Sequence, residues 1–295
     1  MALDRSETRA DRHLIAYGKT SLEAALTACQ AALAHRPSGL VTDFDGTVSQ
    51  IVADPDAASI LPLCRDALAS LADDLDLVGV LSGRMPQDAR DRVGLDGIEY
   101  VGVHGLVRLG ATGPETHPLA TPFEHIVESV APALRRHLDS PGIFVEDKGP
   151  ALAVHYRQAP DQATARELVL DELGRVADAH GMALFEGRMV VELRPPLPLG
   201  KGWSLLDIAQ NRTLRSLIYL GDDRTDVEAF DALQDWREEA TDRCGVAIGV
   251  LSPEMPAALL AVADFLLEDV AAVELLLSRL AKEIRDARSA SASLS

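Results

Sequence analysis

The hydrophobic pattern of the chain alternates between short, continuous apolar runs and segments with apolar residues at helical spacing. The apolar runs predict buried strands at residues 39–43, 75–82, 98–105, 216–223 and 244–250. Helices are predicted at residues 21–34, 62–73, 86–93, 201–210, 226–234 and 270–284. Strands that alternate with helices in this way predict a parallel, doubly wound α/β sheet.

The pattern changes near residue 110. Residues 111–118 (ATGPETHP) predict a linker, and the segments 142–149 and 151–158 alternate apolar and polar residues as half-buried strands do. A long helix is predicted over residues 161–180 and a strand pair over 183–193, before a stiff, proline-rich linker. The predicted parts are an N-terminal helical extension (1–37), a core (38–109 and 197–287), an inserted, smaller α+β cap (110–196) and a flexible tail (288–295).

The composition is that of a globular protein with an acidic surface. Hydrophobic residues make up 47% of the 295 residues and charged residues 25%, which excludes wholesale disorder, a collagen and a coiled coil. With 28 Lys and Arg against 46 Asp and Glu, the net charge is −18, so the surface repels nucleic acids and anionic membranes. We therefore expect no nucleic acid and no membrane as a partner, and an anionic substrate would need a local cation in its site.

Two further features concern the cellular compartment. Cys29, Cys64 and Cys244 lie far apart and lack metal-binding spacing, which indicates buried thiols in a reducing environment. No apolar run approaches the roughly 18 residues of a membrane helix, and the N-terminus is charged where a signal peptide would be apolar. These features predict a cytoplasmic protein.

The strongest chemical signal is the pair Asp43 and Asp45, which follows the first predicted strand in the sequence DFDGT. On an extended backbone, residues two positions apart point to the same side. Two buried carboxylates repel each other unless a divalent cation or an extra proton compensates their charge, which favours burial beside a metal. An Asp-rich turn is the alternative, since Asp and Gly are common turn residues.

A second acidic segment, GDDRTD at residues 221–226, follows the apolar run SLIYL. Because the carboxyl ends of parallel strands meet at one edge of a sheet, the two acidic segments together can offer three or more carboxylate ligands to Mg²⁺. The alternative for this segment is a cluster of N-terminal caps for the next helix.

Two other positions complete the predicted edge. Ser82 and Gly83 end a strand just before a helix, where a hydroxyl and a backbone amide can bind phosphate, although Ser-Gly pairs also simply mark turns. Lys201 opens the helix that follows the predicted cap. Its ammonium group can bind a phosphoryl group and stabilise a carboxylate, although most single lysines are solvated.

The order Asp-x-Asp, Ser, Lys and Gly-Asp-Asp at four element ends resembles the haloacid dehalogenase superfamily of aspartate-nucleophile phosphatases. The resemblance implies a Rossmann-like doubly wound parallel-sheet core with an inserted cap. It makes Asp43 the nucleophile, Asp45 the general acid, and Lys201 the catalytic cation that shares the phosphoryl charge. The implied phosphate-binding residues are Thr47, Ser82, Gly83 and Arg84, and the implied Mg²⁺ ligands are Asp43, Asp45, Asp222 and Asp226.

From about residue 38 to 285, the chain is more specifically similar to the trehalose-6-phosphate phosphatase family. The matching motifs are DFDGT, LSGR, GVHG, VEDKGPALAVHYRQAP, VVELRP, KG and GDDRTD. This resemblance implies that Glu146, Lys148 and Glu192 of the cap bind the sugar, whose hydroxyls suit carboxylate and ammonium partners. From periodicity alone, the polar face of an exposed strand is the alternative.

Three positions need separate interpretation. Arg188 stands where relatives often carry lysine, and Val227 stands where an acidic residue is usual. Neither belongs to the inferred nucleophile, acid or metal ligands. We interpret His104 of GVHG as a packed, hydrogen-bonded residue at a strand end, because the implied chemistry already has its acid.

The resemblance implies a Mg²⁺-dependent phosphatase that converts trehalose 6-phosphate to trehalose and phosphate through an aspartyl-phosphate intermediate. Another sugar phosphate, such as sucrose 6-phosphate or a glycosyl-glycerol phosphate, is an alternative substrate, because the core motifs do not separate these. A second alternative is a non-catalytic regulatory protein that binds sugar phosphates, although such a protein would be free to lose Asp43 or Asp45. Whether a trehalose-phosphate synthase is a partner stays open.

Overall fold

In a computed structural model of the protein, residues 21–52, 54–187, 189–252 and 255–292 are described. They form two β-sheets and the helices that cover them. Residues 1–20 of the predicted extension, Arg188 and the last three residues of the predicted tail lie outside the described residues.

The larger sheet has eight strands. They are β1 (Ser38–Thr42), β2 (Leu77–Leu81), β3 (Glu99–Gly102), β4 (Val107–Gly110), β5 (Gly113–Thr116), β10 (Ser216–Gly221), β11 (Cys244–Val250) and β12 (Phe265–Leu267). Their spatial order is β12-β11-β10-β1-β2-β3-β4-β5, and the pairs from β12 to β3 are all parallel. The chain leaves β1 in one direction and returns on its other side at β10, so the doubly wound α/β prediction is confirmed, with its switch point between β1 and β10.

The helices that cover the larger sheet are α1 (Leu22–Leu33), α2 (Pro62–Ala72), α3 (Pro86–Val93), α6 (Lys201–Asn211), α7 (Arg224–Glu238), α8 (Ala257–Val262) and α9 (Val270–Ala292). Helices α1, α2 and α9 share one apolar cluster with the sheet, while α6, α7 and α8 share another. Strands β1, β2 and β10 are therefore buried along their whole length. The charged and hydroxyl residues Asp43, Ser82 and Asp222 directly follow these strands, and parallel pairing brings their carboxyl ends to one edge.

Strands β4 and β5 form a hairpin at the edge of the larger sheet, where the sequence predicts a linker. Gly110 pairs with Gly113, whose φ of +133° is rarely adopted by a residue with a side chain. The linker prediction is therefore wrong for Gly113–Thr116, because this short, polar edge strand lacks the alternation that marks a half-buried strand. The division of the chain into core and cap stays a prediction.

The smaller sheet is antiparallel and has four strands. They are β6 (Phe144–Asp147), β7 (Leu152–His155), β8 (Ala183–Gly187) and β9 (Val190–Arg194), in the spatial order β6-β7-β9-β8. One face packs against helices α4 (Thr121–His137) and α5 (Gln162–His180). Alternation along the strands places Glu146, His155, Glu192 and Arg194 on the other face.

Two helices differ from the sequence prediction. Helix α4 is missing from the predicted helices because Pro122 and Pro132 interrupt its helical signal. Helix α9 continues through Ala292, so residues 288–292 of the predicted flexible tail are helical. Arg285 and Arg288 hold this end of the helix by hydrogen bonds to the Ser70 hydroxyl and the Asp73 carbonyl. Over the described ranges, no helix combines the length and apolar character needed to span a membrane.

Candidate active site

Lys201 joins two carboxylates at the carboxyl edge of the larger sheet. Its Nζ lies 2.9 Å from Asp43 Oδ1 and 2.7 Å from Asp226 Oδ1, and all three side chains are buried. Asp43 directly follows β1, Lys201 opens α6, and Asp226 lies in the first turn of α7. Lys201 therefore provides a local cation among the carboxylates. An acidic protein would need such a cation in its site to bind an anionic substrate.

Burial and charge shift the protonation equilibria of this group. Burial raises the pKa of Asp43 well above its usual value, and the neighbouring carboxylates add to this effect although Lys201 opposes it. Burial alone would lower the pKa of Lys201, but the attraction of Asp226 and Asp43 outweighs it and leaves that pKa well above its usual value. Lys201 therefore carries its charge at neutral pH.

Three carboxylates at this edge fit a divalent cation. Oxygen atoms of Asp43, Asp222 and Asp226 all lie within 4.8 Å of one another, and the three residues are buried. Hard carboxylate oxygens are the ligands that Mg²⁺ prefers, and a dication offsets the repulsion among buried negative charges. The donor set therefore suits Mg²⁺.

Asp226 also belongs to the N-terminal cap of α7. Its Oδ2 accepts hydrogen bonds from the amides of Asp222 and Asp223 at 3.0 Å each, while the Asp223 carboxylate accepts from the amides of Thr225 and Asp226. This is a capping box. The helix-cap alternative thus describes part of the acidic segment. The same backbone turn brings Asp222 to the cluster of buried carboxylates.

The turn after β1 packs closely against Asp222. Gly46 has a φ of +84°, and a Cβ atom built there would lie 2.3 Å from Asp222 Oδ2. Only glycine fits both the backbone conformation and this approach. Thr47, predicted to bind phosphate, places its hydroxyl 3.4 Å from Asp222 Oδ1. The Gly-Thr part of DFDGT therefore shapes the wall of the carboxylate cluster.

Asp45 is not placed in the carboxylate cluster, contrary to the expectation of a buried pair of metal-binding carboxylates. Arg84 Nε donates to Asp45 Oδ2 at 2.7 Å and Arg84 Nη2 donates to Asp45 Oδ1 at 2.8 Å. The Asp45 side chain is 38% exposed. The expected burial of both carboxylates is wrong for Asp45, because β1 ends at Thr42 and the period-two rule for a strand does not extend to residue 45.

The predicted phosphate loop, Ser82–Gly83, follows β2 of the larger sheet. The Ser82 hydroxyl is buried and accepts a hydrogen bond from the Arg84 amide at 3.2 Å. The Gly83 carbonyl accepts a hydrogen bond from Lys148 Nζ at 3.1 Å. Lys148, which directly follows β6 of the smaller sheet, thus contacts the loop that follows β2.

The three predicted sugar-binding residues lie together. Lys148 Nζ is 3.1 Å from Glu192 Oε1 and 3.6 Å from Glu146 Oε2. Burial alone would raise the pKa of both glutamates and lower that of the lysine. The hydrogen bond with His155 and the charge of Lys148 instead hold the pKa of Glu146 below its usual value, attraction to Lys148 holds that of Glu192 well below it, and attraction to both glutamates raises that of Lys148. Their grouping across strands disfavours the alternative of an ordinary solvated strand face.

Two residues of this group are missing from the predicted site. Arg194 Nε donates to Glu192 Oε2 at 2.6 Å, and His155 Nε2 lies 2.9 Å from Glu146 Oε2. Arg194 follows Glu192 by two positions on a strand, so the period-two rule offered a signal for its place on the same face. His155, at the end of β7, pairs with Phe144 of β6, and only this strand register brings it near Glu146.

Comparison with known proteins shows the family to which the chain belongs. The model of the family described as trehalose-phosphatase matches residues 41–252. The trehalose-phosphate phosphatase of Mycobacterium tuberculosis (strain H37Rv) is 38% identical over 211 residues, covering 68% of this chain and 52% of the relative. The chain therefore spans about half the length of the curated relatives that it matches.

Solved structures show the same fold. The C-terminal domain of the Candida albicans trehalose-6-phosphate phosphatase aligns with a TM-score of 0.73 at 22% identity, covering 90% of this chain and 97% of the other. The C-terminal domain of a Candida albicans trehalose synthase regulatory protein aligns with a TM-score of 0.59 at 13% identity, covering 86% and 97%. These similarities concern the fold alone. By the family match and its sequence relatives, the chain belongs to the trehalose-phosphatase family.

Proposed function

We propose that this protein hydrolyses trehalose 6-phosphate to trehalose and phosphate through an aspartyl-phosphate intermediate. The observation that carries the proposal is the buried Asp43 carboxylate, bound to Lys201 and adjacent to Asp222 and Asp226. A nucleophilic carboxylate needs this setting, because a fixed cation and a metal can neutralise the charge that develops on a phosphoryl group. Membership of the trehalose-phosphatase family supports the reaction and the substrate.

In the proposed first step, an Asp43 oxygen attacks phosphorus and the bond between phosphorus and the sugar oxygen breaks. The leaving sugar oxygen takes a proton from the Asp45 carboxyl group. In the present structure both Asp45 oxygens accept bonds from Arg84, so the pair has to open for Asp45 to deliver a proton. Substrate phosphate is a natural competitor for Arg84, since guanidinium binds phosphate as well as carboxylate.

In the proposed second step, water attacks the aspartyl-phosphate. Asp45 accepts a proton from the water, the bond between phosphorus and Asp43 breaks, and phosphate leaves. Lys201 stays charged throughout and stabilises the Asp43 carboxylate that is regenerated.

The residues that would hold Mg²⁺ in this proposal are Asp43, Asp222 and Asp226. When bound, the cation neutralises negative charge on the phosphoryl group and on the buried carboxylates. The Asp45 carboxylate accepts hydrogen bonds from Arg84 and is not included in that set.

Removal of divalent cations should therefore abolish turnover. We expect chelation by EDTA to lower the rate of phosphate release by at least about 100-fold, and added Mg²⁺ to restore it. Calorimetric titration with Mg²⁺ should show binding to the wild type that Asp222→Asn greatly weakens, while the exposed Asp66→Asn should not. Full activity in a demonstrably metal-free protein would contradict the assignment.

The sugar-binding proposal rests on the cluster of Glu146, Lys148 and Glu192. We expect Glu146→Ala and Lys148→Ala each to lower kcat/KM for trehalose 6-phosphate about 10- to 100-fold more than kcat/KM for a small aryl phosphate, which has no sugar to bind. Glu167→Ala, at an exposed position of α5, is the matched control and should leave that ratio unchanged. Equal losses on both substrates would refute a role in sugar recognition.

The decisive measurement for the overall function is phosphate release by the purified protein from a panel of sugar phosphates. The panel contains trehalose 6-phosphate, sucrose 6-phosphate and a glycosyl-glycerol phosphate, with Asp43→Asn as the blank. Preference for trehalose 6-phosphate supports the proposal, and preference for another member changes only the substrate. The fold shared with a regulatory protein's domain gives the non-catalytic alternative a specific basis, and binding without Asp43-dependent turnover would favour that alternative.

A further inference from the structure

A closed ring of contacts joins the smaller sheet to the phosphate loop. Lys148 contacts both Gly83 and Glu192, and Arg194 donates to Glu192. Arg194 Nη2 also lies 2.7 Å from His104 Nε2, and the His104 ring packs against Gly83. The five members of the ring come from four separate places in the chain, and two of them, His104 and Arg194, have no part in the function proposed above.

The hydrogen-bonding roles in this ring follow from chemistry. A guanidinium group only donates, so His104 Nε2 must accept from Arg194, and the hydrogen of a neutral His104 ring lies on Nδ1. Burial and the adjacent Arg194 lower the pKa of His104 to about 4, so the ring is neutral at physiological pH. Arg194 thus bridges a neutral acceptor and the Glu192 carboxylate with a single planar group.

Both the backbone conformation and the hydrogen bonding of His104 are unfavourable for stability. Val103 and His104 both have positive φ, at 50° and 55°, a conformation that is unusual for any non-glycine residue and especially for β-branched valine. The buried His104 Nδ1 finds no hydrogen-bond partner among the described residues. Strained backbone and an unpartnered donor at one residue point to a role other than stability.

The strain places the ring against the phosphate loop. A Cβ atom built on Gly83 would lie 2.6 Å from His104 Cε1, so the loop accepts the imidazole only because residue 83 is glycine. The His104 amide also donates to the Ser82 carbonyl at 3.0 Å. His104 therefore contacts the loop on one side. On the other side its Nε2 lies 3.3 Å from Glu192 Oε2 and is also linked to that sugar-binding carboxylate through Arg194.

We propose that His104 and Arg194 are positioning residues that hold the Glu192 carboxylate in its sugar-binding place and tie it to the Ser82–Gly83 loop. The inference rests on the proposed function, because Glu192 must bind sugar for its position to matter. Without Arg194, the Oε2 atom of Glu192 loses a charged donor and is free to rotate away from the site. Without His104, the Arg194 guanidinium loses the acceptor that orients it.

The test measures binding separately from turnover. In an Asp43→Asn background, we expect Arg194→Ala and His104→Ala each to weaken calorimetric binding of trehalose 6-phosphate about tenfold. In the otherwise native protein, the same variants should raise KM for the sugar phosphate far more than for an aryl phosphate. Because both residues act on one carboxylate, the double variant should lose much less than the product of the two single losses.

Two further variants separate positioning from general structure. His104→Gln offers a carbonyl acceptor to Arg194 and should recover a large part of the affinity that His104→Ala loses. Arg166→Ala removes an exposed arginine that pairs with Glu186 in the same half of the molecule, and it should leave binding within about twofold. Thermal melting of each variant shows whether it is folded.

The outcomes distinguish the two proposals. The positioning role alone would be overturned if the wild type binds or hydrolyses a sugar phosphate and the Arg194 and His104 variants bind it with unchanged affinity. Losses that are equal for sugar and aryl phosphates, or strictly multiplicative in the double variant, would also overturn it. A wild type that neither binds nor hydrolyses any sugar phosphate would overturn the proposed function, and the positioning role with it.

Discussion

Asp43→Asn should abolish phosphatase turnover while leaving the fold intact. An amide does not attack phosphorus as a carboxylate does, so we expect kcat to fall by about 10⁴-fold or more. The substitution also removes one negative charge from a buried site that holds Asp222 and Asp226, where burial and repulsion already raise the pKa of Asp43. The thermal midpoint should therefore change little, which separates loss of chemistry from loss of structure.

The measurement is phosphate release from trehalose 6-phosphate, with melting curves and intact-protein mass to exclude reversion of Asn to Asp. Asp66→Asn, on the exposed surface of α2, is the matched control and should keep full activity. A turnover rate above about one hundredth of the wild-type rate in verified Asp43→Asn protein would contradict the nucleophile assignment.

Asp45→Asn gives a complementary result with a different readout. An aryl phosphate has a good leaving group, so the first step should proceed without an acid, whereas activation of water in the second step requires Asp45. The variant should therefore accumulate protein that carries a phosphoryl group on Asp43, detectable by mass spectrometry after acid quenching. Absence of the adduct with retained turnover would refute the role of Asp45.

Lys201→Met should have the second large effect, on stability as well as on activity. The Lys201 side chain is 1% exposed, and its ammonium group is the shared partner of Asp43 and Asp226. Its removal leaves buried carboxylates without their cation, which typically lowers the free energy of unfolding by about 3–5 kcal/mol. The measurement is denaturant unfolding, with Lys282→Met on the exposed surface of α9 as the control.

The sign of the pH dependence provides an independent check. Without Lys201, the pKa values of the buried carboxylates rise further above those in the unfolded chain. A carboxyl group with a raised pKa in the folded state destabilises the protein increasingly as pH rises above its unfolded value. The deficit of Lys201→Met should therefore be smallest near pH 4 and largest at neutral pH, and added Mg²⁺ should reduce it by binding the folded state. A deficit that is independent of pH and Mg²⁺ would contradict this explanation.

Much of the candidate site at the carboxyl edge of the larger sheet was predictable, because its residues follow strands that the hydrophobic pattern marks clearly. The continuous apolar runs before Asp43, Ser82 and Asp222 are buried on both faces, and the change from apolar to polar shows where each strand ends. The parallel-sheet rule then brings those ends together without further information. The β4–β5 hairpin escaped prediction, since its polar edge strand buries too little surface to leave a pattern.

The sequence by itself determined the alternation of elements, the strand ends and the order of chemical groups along the chain, because these depend on local periodicity and residue type. Tertiary structure alone decided which charges meet. Lys201 lies 158 positions after Asp43 in the sequence, Arg84 binds Asp45 outside the cluster of buried carboxylates, and His104 contacts Arg194 across 90 positions. Ion pairs and hydrogen bonds act over a few ångströms, so their partners are set by packing of distant segments, which local pattern does not record.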